Sequence, residues 1–166
     1  EGNGGYAVDN QTTYTVDARL FFDRNVPKGE YDIVFGDAFH NFSVPYHLTT
    51  LEFDRLVARA LRPGGIYVLN LIDQLPDADF LAAYVRTAQH AFPHVYVLTD
   101  NLIADTSLRT TFVVLSSDEP VDFESLHTPI ALELGRTVEF HVLAEDRVAE
   151  LVGRDDFLLT DDYVPV

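Results

Sequence analysis

The chain has 166 residues, about one domain's worth with room for a single sizeable core, and its 47% hydrophobic content is that of an ordinary globular protein. Its 27 acidic residues against 11 Lys+Arg leave a net charge of −16, a field that repels phosphate backbones, argues against nucleic acid and favours cationic small molecules, polyamines among them, although most of these charges also serve as a solubilising surface. The absence of cysteine removes disulfides, zinc–thiolate sites and thiol nucleophiles, and is compatible with a cytoplasmic location. No apolar run approaches the roughly 18 residues of a membrane span, and no charged-then-apolar leader opens the chain, so neither is expected. Methionine is also absent, from which residue 1 is not expected to be the natural start.

Residues 1–12, EGNGGYAVDNQT, are polar, glycine-rich and without period, and read as a flexible segment ahead of a single α/β domain over 13–166. Thr13–Val16 (TYTV) is predicted as a short strand ending on Asp17, with a helical turn or two over Ala18–Asp23. Tyr31–Asp37 (YDIVFGD) is predicted as a buried strand, apolar because helices cover both faces of its sheet. The spacing Thr49–Thr50–Leu51–Glu52 is that of a capping box, so a helix should begin near Thr49 and end at Arg62–Pro63–Gly64–Gly65, where glycine takes the left-handed position. A second buried strand follows over 66–72, then a helix from about Asp77 to about His90, ended by Pro93. HVYVLT (94–99) and TTFVVLSS (110–117) read as strands, Thr137–Leu143 as a weakly alternating one, and Glu145–Val152 as a helix. This order predicts an α/β fold: a Rossmann-like, mostly parallel sheet with flanking helices and one antiparallel strand near an edge.

The sequence carries no G-x-G-x-x-G after a strand, no P-loop, no H-E-x-x-H and no G-x-S-x-G. The six histidines, at 40, 47, 90, 94, 127 and 141, show no paired metal-ligand spacing, so no metal is expected. What remains is a pair of carboxylates at strand ends, Asp17 and Asp37. Ligands of such sheets bind beyond the carboxyl ends of the strands. An ionised carboxylate only accepts hydrogen bonds, which suits an amine, an adenine amino group or a ribose hydroxyl. The alternatives are that Asp37 merely ends a strand at a turn and that Asp17 caps the turn after it.

VDARLFF, then EYDIVFGDAFHNFSVPYHLTTLEFDRLVARALRPGGIYVLNLID, resembles the later part of spermidine-synthase-like proteins, which have the class I, S-adenosylmethionine-type Rossmann methyltransferase fold. The resemblance covers about residues 13–117 well and the tail, LLTDDYVPV, loosely. It implies a strand order 3-2-1-4-5-7-6 with the glycine-rich first strands missing here. It implies S-adenosylmethionine or its decarboxylated form as substrate, and aminopropyl or methyl transfer to a small amine. Asp17 and Ala18 match the family's Asp-Gly/Ala turn that holds the donor's adenine. Asp37 matches the first aspartate of the loop facing the amine and the donor's reacting end. His40 stands where the family has a second aspartate, and a neutral histidine can act as a base there. A non-catalytic nucleotide-binding, oligomerisation or scaffold domain is the other class of function. With the neighbouring strands missing, Tyr31–Gly36 is expected either to pair with a second copy in a homodimer or to lie beside 13–16.

Overall fold

The computed structural model of the chain describes residues 10–38, 45–74, 78–99, 109–123, 130–131, 137–138, 141–153 and 156–162. The apolar runs become strands β1 (Tyr31–Gly36), β2 (Leu61–Gln74), β3 (His94–Thr99) and β4 (Arg109–Ser117). Three two-residue strands follow: β5 (Ile130–Ala131), β6 (Thr137–Val138) and β7 (His141–Val142). The stretch expected as one strand over Thr137–Leu143 is thus two short pieces in different sheets. β6 pairs with β5, and β7 adds to the main sheet.

That main sheet has five strands in the order β1-β2-β4-β3-β7. β1 runs parallel to β2, β4 is antiparallel to both β2 and β3, and β7 is antiparallel to β3. Three strands therefore share one direction, and two oppose it rather than the one expected: β7 at the edge of the sheet and β4 in its middle. A parallel pair needs a crossover, and helix α2 (Leu51–Ala60) supplies it. Its last turn is tied to the amino end of β1, where the Gly29 and Glu30 N–H groups donate to the Arg59 and Ala60 carbonyls at 3.0 and 2.8 Å.

Helix α1 covers Ala18–Asn25, and α4 covers Glu145–Val152 as predicted. α2 is capped one residue later than the capping-box spacing suggests. The Thr50 hydroxyl accepts from the Phe53 N–H, while the Thr49 hydroxyl turns back to the Tyr46 carbonyl at 2.9 Å. Glu52, freed from the cap, accepts the Asp161 N–H at 3.0 Å. The helix ends at Ala60 because Leu61 is already extended, at φ −75° and ψ 146°. Gly64 is left-handed as expected, at φ +73°, but inside the irregular start of β2. There the register jumps from Tyr31↔Leu61 to Ile33↔Ile66.

Helix α3 (Asp79–Ala88) starts later than Asp77, which lies outside the described residues. Its N-cap, Ala78, is left-handed at φ 43° and offers no side-chain cap. The first turn is satisfied from a distance: Asp73, near the end of β2, accepts the Leu81 N–H at 2.8 Å.

Residues 13–16 form no strand. A strand needs a partner, and among the described residues the sheet ends at β1. Tyr14 and Val16 instead lie exposed, each at 61%. β1 is not the doubly covered strand its apolar sequence suggests, since Ile33 and Phe35 on one of its faces are 50% and 72% exposed. Helices α2 and α3 cover the face carrying Tyr67, Leu69 and Leu71, which are all buried. Val57, Tyr84, Val85, Val97, Phe112 and Leu159 belong to the same core.

Candidate functional site

Because the end of α2 is fastened to the amino end of β1, its beginning lies at the carboxyl end of β1 and β2. Asp37 follows β1 at that end, and Asp17 is bonded to His47 in the turn that leads into α2. Asp37 is the first residue after β1 and is exposed. Its Oδ1 accepts from Asn70 Nδ2 at 3.0 Å. Asn70 follows Leu69, the register partner of Gly36, and its own Oδ1 is enclosed without a hydrogen bond among the described residues. Gly36 allows this close seating. A Cβ there would stand 2.5 Å from Leu69 Cδ1 and 2.9 Å from the Tyr67 hydroxyl oxygen, so β1 lies flush on these side chains only as glycine.

Asp17 caps α1. Its Oδ1 accepts the Leu20 N–H at 3.0 Å, which bears out the capping reading of this residue. Its Oδ2 lies 3.0 Å from His47 Nε2. The Leu20 N–H is the main reason its carboxyl sits below the ordinary carboxylate range; desolvation opposes this and His47 reinforces it. Ala18 opens α1 and is exposed. His47 belongs to a single 3-10 turn, Tyr46–Leu48, just ahead of α2. Arg19 binds these pieces together, donating to the His47 carbonyl at 3.0 Å and to Thr50 Oγ1 at 2.9 Å, and pairing with Asp161. Thr50 Oγ1 donates in turn to Asp161 Oδ1 at 2.8 Å. Asp17 thus reaches the carboxyl end of the sheet through a helix cap and not, as predicted, through the end of a strand. His40 lies outside the described residues.

Sequence reasoning missed His47, Arg19, Asn70 and Asp161. Only Asn70 carried a local signal, a polar residue within the apolar run IYVLNLI. The others meet across 28 residues or more of chain, where no sequence period applies.

Beneath the site lies a buried acid. Asp54 on α2 is fully buried. Its Oδ1 accepts from the Tyr84 hydroxyl at 3.2 Å, and its Oδ2 has no hydrogen-bond partner among the described residues. Burial pushes its carboxyl up to about 8, against a smaller lowering from the Tyr84 bond. Burial likewise raises Tyr67 and Tyr84 well above the ordinary phenol range, with Asp54 adding to both. Burial thus favours the protonated form of Asp54 at neutral pH.

Among the described residues no three His, Asp or Glu side chains converge as a metal site would require, and no helix is long and apolar enough to cross a membrane. Chemically the arrangement presents two exposed carboxylates, hence acceptors for amino groups and an attractive field for a cationic amine.

No family model matches the chain. Over 60 residues, 36% of this chain and 13% of the relative, it is 33% identical to a probable polyamine aminopropyl transferase of Bifidobacterium longum. Among solved structures it is similar to a probable spermidine synthase from Corynebacterium glutamicum, with a TM-score of 0.73 and 22% identity, covering 91% of this chain and 54% of that one. It is also similar to a spermidine synthase in complex with the transition-state analogue AdoDATO, with a TM-score of 0.58, 16% identity and coverage of 81% and 48%. A third similar structure, a spermidine synthase from Thermotoga maritima, gives a TM-score of 0.52 and 17% identity, with coverage of 76% and 45%. The chain spans about half the length of these solved structures and 13% of the Bifidobacterium protein. It has the spermidine-synthase-like fold, and the resemblance read from its sequence is borne out.

Proposed function

We propose that the chain is a spermidine-synthase-like transferase domain, spanning 13–166, that uses S-adenosylmethionine or its decarboxylated form to transfer a methyl or aminopropyl group to a small amine. Such a donor supplies a carbon activated by an adjacent sulfonium, so the protein has mainly to position the reactants and provide a neutral amine. Asp17 suits the adenine amino group because its Oδ2, already meeting His47, retains a second lone pair. Asp37, steadied by Asn70, draws in the cationic amine and faces the donor's reacting end, and His40 acts as the base that takes the amine's proton. As the new bond to the amine nitrogen forms, the bond to sulfur breaks and its electron pair leaves with the thioether.

The observation that carries this reading is the spermidine-synthase-like fold, with Asp37 directly after β1 and Asp17 bonded to His47 in the turn that leads into α2. The test is to incubate the chain with each donor and a diamine and to look for the transferred product by mass spectrometry. Product is expected with one donor and should fall sharply in Asp37→Ala. No product from folded chain with either donor would overturn it.

A second reading, a non-catalytic nucleotide-binding or oligomerisation domain, is favoured by β1, at which the sheet ends among the described residues and where Ile33 and Phe35 are exposed. Under either reading we place the protein in the cytoplasm as a homodimer joined along this edge, since an uncovered apolar edge strand invites pairing.

A further inference from the structure

We propose that His47 is a positioning residue of the adenosine site, fixing the carboxylate of Asp17 in the orientation that receives the adenine amino group. This rests on the proposed role of Asp17.

An aspartate at the start of a surface helix is ordinarily free to rotate, and a ligand that orders it must bear the entropic cost. Here both oxygens are held: Oδ1 by the Leu20 N–H and Oδ2 by His47 Nε2, each at 3.0 Å. His47 is itself anchored. Its carbonyl accepts from Arg19, and Arg19 is braced by Thr50 and Asp161. Tyr46 stands edge-on to the imidazole, with ring centroids 5.5 Å apart. Asp17 and His47 side chains nevertheless remain 42% and 34% exposed, so a ligand can reach the second lone pair of Oδ2. The carboxylate is therefore oriented in advance from the far end of the β1–α2 connection, 30 residues away, and pre-orientation of this kind raises affinity.

The test is calorimetric titration of the chain and three variants with 5′-methylthioadenosine. Asp17→Asn keeps the helix cap through its carbonyl oxygen but turns an NH2 toward the adenine amino group, a donor facing a donor, and should weaken binding by roughly tenfold or more. His47→Ala should weaken it by roughly three- to tenfold, the worth of one hydrogen bond's ordering. His47→Gln should restore most of the loss, because the glutamine amide can return an N–H to Oδ2. A merely structural His47 would lower the melting temperature of His47→Ala and leave its affinity for methylthioadenosine unchanged; that result, or tighter binding, overturns the proposal while the Asp17 assignment stands. Unchanged affinity in Asp17→Asn overturns both.

Discussion

Replacing Asp54 with asparagine should make the chain more stable, and increasingly so as the pH rises. Asp54 is fully buried, and among the described residues it has no ion-pair partner and one oxygen without a hydrogen bond. Burial raises its carboxyl from the ordinary aspartate value of 3.8 to about 8 in the fold. Between those values the folded state keeps the proton and the unfolded state loses it. Stability contributed at this position is therefore fully present below about pH 4 and declines until about pH 8. Each pH unit in that window is worth about 1.4 kcal/mol, so between pH 5 and pH 7 the wild type should lose roughly 2–3 kcal/mol relative to Asp54→Asn. The asparagine preserves shape and an acceptor for the Tyr84 hydroxyl but cannot ionise in either state. Taking the difference between the two proteins also cancels the self-repulsion that a net charge of −16 imposes on both. Urea unfolding followed by far-UV circular dichroism at pH 5, 6, 7 and 8 measures it, in a chain without tryptophan. A stability difference that stays level across this range would show that Asp54 is ionised in the fold, and the reasoning would fail.

Three other substitutions test the frame of the site. Gly36→Ala forces a methyl group to within 2.5 Å of Leu69 Cδ1; it should cost about 1–3 kcal/mol in the same unfolding assay, and a neutral result would mean β1 is not seated as described. Asp73→Ala removes the acceptor for the Leu81 N–H and, by analogy with lost helix caps, should cost about 1 kcal/mol, with faster amide exchange in the first turn of α3 as its signature. Phe35→Lys places a charge on the exposed face of β1 and should shift the mass seen by light scattering from that of the proposed homodimer to that of a monomer; a monomeric parent chain, or a dimer that the substitution leaves unchanged, would overturn pairing at β1.

Much of the fold was legible because its elements are periodic and local. β3 and α4 occupy the residues their patterns predict, and β4 begins one residue earlier than expected. Edges were legible less well. TYTV has the composition of a strand, but composition cannot supply the neighbour that a strand must bond to. YDIVF is apolar enough to be covered twice, yet nothing local reveals that its outward face, Ile33 and Phe35, stays exposed. Helix starts shifted where a capping partner came from far away, as Asp73 does for α3, or where two candidates stood side by side, as Thr49 and Thr50 do for α2. At the site, the two aspartates were visible as acids ending or following short apolar segments. His47 and Asp161 were not, because their meaning lies in contacts with Asp17 and Arg19 that only the folded chain creates.

The most direct measurement of the central claim is an amide shift map of the isotopically labelled chain titrated with 5′-methylthioadenosine. An adenosine thioether held at the carboxyl end of the β1–β2 pair should move the amides of residues 17–20, 37–38, 46–50 and 70 in one saturable process, and leave those of β7 and α4 in place. A titration that leaves these amides unmoved, or that shifts the opposite end of the sheet instead, would contradict the assignment of the site.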